Sequence, residues 1–212
     1  MDRAGWYSFL QRWSTKLLES GLYPSDLLQS FIASSWLGFP GASDEQIVQA
    51  ETRLGVTLPP SYRTFLGVSN GWHIADLLTE RLWSAEEIEW FATRHQDWID
   101  AWAEAGQLAA TQYGEQSPVS DESYLIYGKD QNTNATFRQE YLQTALEIST
   151  NSPDSSAIYL LNPRIVDSDG EWEAWFFADW LPGAYRYRSF ESLMVSLYDD
   201  VDRRIANEQP QP

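Results

Sequence analysis

The sequence predicts a single α+β domain: helices first, then a mixed or antiparallel sheet flanked by helices, then a C-terminal helix. Three observations carry that reading. Apolar residues recur at helical spacing near both ends, as Trp6, Phe9, Leu10, Trp13 and Leu17 in front and Phe190, Leu193, Met194, Leu197, Val201 and Ile205 behind. Residues 157–161 and 171–178 read as paired strands, joined through Asp167-Ser168-Asp169-Gly170, where Asp-Gly signals a hairpin turn. The order of helices, strands and helix fits α+β rather than the alternation of a doubly wound sheet.

Each element has its punctuation. Gly21 ends the first helix, and Pro24-Ser25 opens a second carrying Leu27, Leu28, Phe31 and Ile32. That helix is expected to stop near Gly38, before a Pro40-Gly41 turn. Ser43 and Gln46 form a capping box, followed by Ile47, Ala50 and Leu54 on one face and Gly55 at the left-handed C′ position. Leu58 leads into Pro59-Pro60, where proline suits a first helical turn. Tyr62, Phe65 and Leu66 form the next apolar face, and Asn70-Gly71 closes that helix.

Residues 72–78 read as a strand. Ser84-Ala85-Glu86-Glu87 reads as a second capping box, starting a helix with Ile88, Phe91, His95, Trp98 or Ile99, and Trp102 inward and Gly106 as its limit. Residues 107–122 look like a loop or weak helix. Tyr124-Leu125-Ile126-Tyr127 suggests a short strand, and residues 137–146 fit helix or strand equally. Alternation places Trp172, Ala174 and Phe176 on one side of the sheet and Glu173 and Trp175 on the other. Pro182-Gly183 is a turn, residues 185–189 an edge strand, and Ser189 the cap of the last helix. Residues 1–42 read as a helical extension packed on a core domain of residues 43–206, with a disordered tail at 207–212.

The stretch from Ser43 to Gly71 resembles the SUKH superfamily, a group that includes a fungal cell-wall assembly regulator and many bacterial toxin-immunity proteins. The shared pattern falls on Ile47, Glu51, Leu54, Gly55, Leu58, Pro59, Tyr62, Phe65, Leu66, Ser69, Asn70 and Gly71. Looser pieces follow in order: Leu160 to Pro163, Trp172 to Phe176, and Arg188-Ser189-Phe190. The resemblance extends to about Tyr198 and implies the same α+β architecture. It also implies a binding module of immunity or regulatory type. Glu51 is expected to bond locally or pair with Arg53 or Arg63, and Asn70-Gly71 to serve as a helix terminator.

Composition narrows the function classes. The chain has 212 residues, enough for a sizeable core, and 11 Trp, 11 Tyr and 9 Phe, too many for disorder. With no cysteine there is no disulfide, thiolate metal site or cysteine nucleophile. No continuous apolar leader or membrane-length run is visible, so a soluble cytoplasmic protein is the expectation. A net charge of −17 argues against nucleic acid and anionic membrane as partners and favours a cationic protein.

Catalytic and metal motifs are sparse. The two histidines, His73 and His95, are far apart in sequence, and His95 falls on an apolar helical stripe. Asp130-Gln131-Asn132-Thr133-Asn134 imitates the opening of a calcium loop, but Ala135 and Tyr141 stand where glycine and glutamate belong. No cofactor or metal is expected. Phosphate loops, nucleophile elbows and dinucleotide fingerprints are missing.

The expected function is a non-enzymatic protein-binding module of immunity type that neutralises a cognate toxin domain, such as a nuclease. The alternatives are a regulatory or scaffold protein, and a hydrolase using an unrecognised carboxylate pair among Asp167, Asp169, Glu171 and Glu173. The expected partner surface is the hairpin side with Glu171, Glu173 and Trp175, rimmed by Asp167 and Asp169.

Overall fold

A computed structural model describes residues 1–22, 25–73, 81–114, 119–127, 138–150 and 156–208. Four helices come first: α1 (Arg3–Ser20), α2 (Ser25–Ile32), α3 (Asp44–Leu54) and α4 (Pro60–Val68). A two-stranded antiparallel piece follows, β1 (Trp72–His73) with β2 (Arg81–Leu82). Then come β3 (Glu89–Trp90), α5 (Phe91–Arg94), α6 (Gln96–Tyr113) and α7 (Asp121–Tyr124). A 3-10 turn (Gln139–Thr144) precedes β4 (Leu146–Glu147), β5 (Ala157–Val166), β6 (Trp172–Ala178), β7 (Ala184–Tyr187) and α8 (Phe190–Glu208). Strands β3 to β7 form one antiparallel sheet in chain order.

The local signals at the front act as read. Ser43 and Gln46 exchange both capping-box bonds, and Gly55 takes φ 71°. Trp6, Phe9, Leu10, Trp13 and Leu17 are all buried. Tyr62, Phe65 and Leu66 are fully buried in the same cluster as Leu54 and Leu58. Phe65 meets the rings of Trp6 at 5.5 Å and Phe190 at 4.9 Å, so α1, α4 and α8 lock together around it.

The sheet is covered on both sides. Tyr159, Leu161, Trp172, Ala174 and Phe176 face the larger core with α1, α3, α4 and α8. Ile158, Leu160, Trp175 and Phe177 face a second cluster with Phe91, Leu142 and the half-buried Trp98 and Trp102. All seven residues of β6 are therefore buried. A sheet buried on both faces has no solvent side to alternate with.

Several expectations give way. Ser84 does not start a helix: its N–H and hydroxyl both donate to Glu87, at 3.1 and 2.8 Å, and close a turn. The chain then pairs as β3 with β4, and helix begins only at Phe91, because the sheet needs an edge strand there. The stripe breaks at His95, and Gly106 lies inside α6 instead of ending it. A Cβ at Gly106 would sit 3.0 Å from the end of the Gln139 side chain, so α6 passes close to that residue. Tyr124 closes the short helix α7 rather than opening a strand, and Leu125 and Ile126 are exposed. Helix α2 stops at Ile32, short of Gly38. Of the strand read at 72–78, residues 74–78 lie outside the described residues, as do residues 209–212 of the tail.

Candidate functional site: an acid-rimmed aromatic groove

The residues expected to form one partner patch are dispersed. Asp167 and Asp169 are exposed at the hairpin tip, where Asp167 Oδ1 accepts the backbone N–H groups of Asp169 and Glu171 at 2.8 and 3.0 Å. Glu171 precedes β6 and turns towards α4, where it accepts the Ser61 N–H at 2.8 Å and the Ser61 hydroxyl at 2.6 Å. It thereby caps the N-terminal turn of α4. Glu171 lies one residue before β6 begins at Trp172, so strand alternation does not hold its side chain on the side of Glu173.

Glu173 and Trp175 are fully buried, so neither can anchor a partner on the surface. Glu173 accepts from Trp175 Nε1 at 2.7 Å, Arg186 at 2.7 Å, Asn162 at 2.9 Å and the Tyr124 hydroxyl at 3.1 Å. Arg186 also donates to the Tyr124 carbonyl at 2.8 Å and lies 3.9 Å over the Tyr124 ring. Burial, and then the Glu173 charge, push the Tyr124 and Tyr127 hydroxyls well above their ordinary range. This network fastens the segment after α6 to the sheet. The sequence shows these residues, but not that a second layer covers them.

The family-pattern polar residues are structural at this corner. Glu51 accepts from the Leu58 N–H at 3.0 Å and from Arg63 at 3.3 Å, not from Arg53. Asn70 accepts from the Ala85 N–H at 2.8 Å and donates to Glu86 at 2.9 Å, tying the helix end to the 84–87 turn. Burial works to raise the Glu86 and Glu87 carboxyls. The bonds from Asn70, Ser84 and Gln46, and for Glu87 from Arg81 and Ser84, outweigh it and hold both below the usual range. Gly71 has φ 108°, and a Cβ there would sit 2.8 Å from the Leu82 carbonyl oxygen.

The histidines are far from a metal arrangement. His73 packs between Phe39 at 4.2 Å and Phe31 at 4.8 Å, and burial, then Arg81, lower its pKa. His95 Nε2 lies 3.2 Å from Glu147 on β4. Among the described residues no cluster of metal-ligating side chains occurs, and the stretch from Asp130 to Asn134 lies outside them.

What the surface does offer is a groove of about 560 Å³ between α6 and the β6–β7 turn. Trp98, Trp102, Trp180, Leu181 and Pro182 line it, with Ala101 and Ala105 keeping the α6 wall low. Asp97 and Asp179 stand on its rim, both exposed. Trp98 and Trp102 rest on Phe177 at 6.0 and 5.8 Å, which fixes α6 to the second face of the sheet. Trp180 is 54% exposed, held edge-on to Phe176 at 6.2 Å. Helix α6 carries Asp97, Asp100 and Glu104 and not one Lys or Arg.

Trp98 and Trp102 lie on the helical stripe read from the sequence, and Trp180 stands just before the Pro182-Gly183 turn. Asp97 and Asp179 carried no signal beyond the one-signed charge of α6, because nothing local reveals that residues 82 positions apart share a groove.

Comparison with known families places this architecture. The model of the SMI1 / KNR4 family (SUKH-1) matches residues 41–196, and the chain belongs to that family. The match covers the sheet, the Asn70-Gly71 corner and the groove. No curated protein matches the chain. None of the described helices is long and apolar enough to cross a membrane.

Proposed function

We propose that the protein is a non-enzymatic binding module of immunity type, which neutralises a cationic toxin domain by occupying its surface. The observation that carries this reading is the groove: exposed tryptophan beside carboxylates that form no ion pair among the described residues, on a chain of net charge −17. An aromatic anchor with an acidic rim suits a basic protein surface and steers its encounter. A nuclease must be basic where it holds nucleic acid, so an acidic binder can occlude that site. The engagement of Glu171 with α4 and of Glu173 with Arg186 supports a non-catalytic role for the hairpin acids.

The test is binding to the product of the adjacent reading frame, followed by stopped flow, with growth protection on co-expression. The expected result is a complex whose association rate falls with added salt, and protection that weakens for Trp180→Asp. Binding without inhibition would instead favour the regulatory or scaffold role, and no binding would refute the reading.

A further inference from the structure

We propose that the groove between α6 and the β6–β7 turn is a receptor for an arginine side chain of the partner, its guanidinium stacked on Trp180 and Trp98 and bonded to Asp97 and Asp179. This rests on the protein-binding reading above and names the chemistry that it recognises.

Three observations lead there. First, indole side chains and exposed carboxylates line the same groove. A guanidinium is planar, stacks on indole faces and bonds carboxylates through its fork, whereas an ammonium does only part of this. Second, the rim charge is unspent. Among the described residues neither Asp97 nor Asp179 forms an ion pair, whereas Glu51, Glu87, Glu89, Asp121 and Glu173 each hold an arginine of the chain. Third, the same pairing already occurs elsewhere in this molecule. Arg94 lies 3.9 Å over Trp83 and reaches to within 3.9 Å of Glu147, and Arg186 lies 3.9 Å over Tyr124 while bonded to Glu173. At the α6 groove the aromatic and acidic halves of that arrangement are present, and the cation would come from outside. A cation also fits where an anion could not, since α6 presents Asp97, Asp100 and Glu104 with no opposing charge of its own.

The experiment titrates the full chain with a blocked Gly-Gly-Arg-Gly-Gly peptide and with its citrulline and lysine counterparts, following the indole N–H resonances by NMR. Saturable shifts of the Trp98 and Trp180 signals with the arginine peptide are expected. Citrulline should bind about tenfold or more weakly, because it keeps the shape and loses the charge. Lysine should fall between them. Trp180→Ala and the pair Asp97→Asn with Asp179→Asn should each weaken the arginine peptide about fivefold or more. These side chains are exposed at the rim, so the melting temperature should hold, which separates loss of the site from loss of the fold. Equal binding of citrulline, equal binding of lysine, shifts confined to other indoles, or full affinity in Trp180→Ala would each overturn the proposal. Binding of the intact partner is read separately. A complex that forms while the arginine peptide fails sinks this inference alone, and a peptide that binds where no toxin does sinks only the immunity reading.

Discussion

Replacing Arg186 by methionine is the sharpest test of how the second face of the sheet is held. Arg186 is 8% exposed on β7, opposite Trp175 in the strand register. Its guanidinium bonds Glu173 and the Tyr124 carbonyl and lies over the rings of Tyr124 and Tyr127. Methionine matches the length of the arginine stem and removes the charge. Glu173, fully buried, would then be left with neutral donors, among them Tyr124, Asn162 and Trp175. Breaking a buried pair by removing one partner costs about 3–5 kcal/mol, because the other charge is left uncompensated. For a domain of this size that is a fall of about 6–20 °C in Tm. The control is Arg186→Met combined with Glu173→Gln, which removes the stranded charge and keeps an acceptor for the tyrosine and indole donors. It should recover more than half of the loss. Urea unfolding read by tryptophan fluorescence measures both, and Trp175 sits in the network as a reporter. A single variant within about 1 kcal/mol of the parent, or a double variant no better than the single, would refute the assignment of this pair as the clamp.

Gly71→Ala should destabilise the domain by about 1–3 kcal/mol, since φ 108° suits glycine alone and the new Cβ would press on the Leu82 carbonyl; a urea midpoint shift reads it. Glu171→Ala removes both bonds to Ser61 and should cost about 1 kcal/mol, as loss of a helix cap does, while leaving association with a partner unchanged. For His73 the sign follows from its lowered pKa. Below its ordinary value of 6.5 the unfolded chain takes up the proton more readily than the folded one, so this site subtracts stability as pH falls from 6.5. His73→Phe, which keeps a ring between Phe39 and Phe31, should lose less stability than the parent between pH 7 and pH 5.5 by chemical denaturation.

The parts whose physics is local are legible in the residues alone. Capping at Ser43, the left-handed residue at Gly55, the proline start of α4 and the apolar stripes of α1 and α8 depend on neighbours a few positions away. They marked the fold class and carried the family resemblance. The β5–β6 hairpin was legible for the same reason, since its turn and its alternation are written in consecutive residues. Tertiary structure decided the rest. Ser84 to Glu87 has the pattern of a helix start, yet pairing of β3 with β4 won, because a sheet edge satisfies backbone groups that a helix there would have left on the strand opposite. Glu173 and Trp175 carry the composition of a surface hot spot, yet α6 and the segment around Tyr124 cover them, and a single arginine on β7 makes the burial of that carboxylate tolerable. The groove was out of reach for the same cause: Trp98 and Trp180, like Asp97 and Asp179, become neighbours only when α6 is laid across the far face of the sheet. Periodicity states which side of an element is apolar, and only packing states what, if anything, comes to cover it.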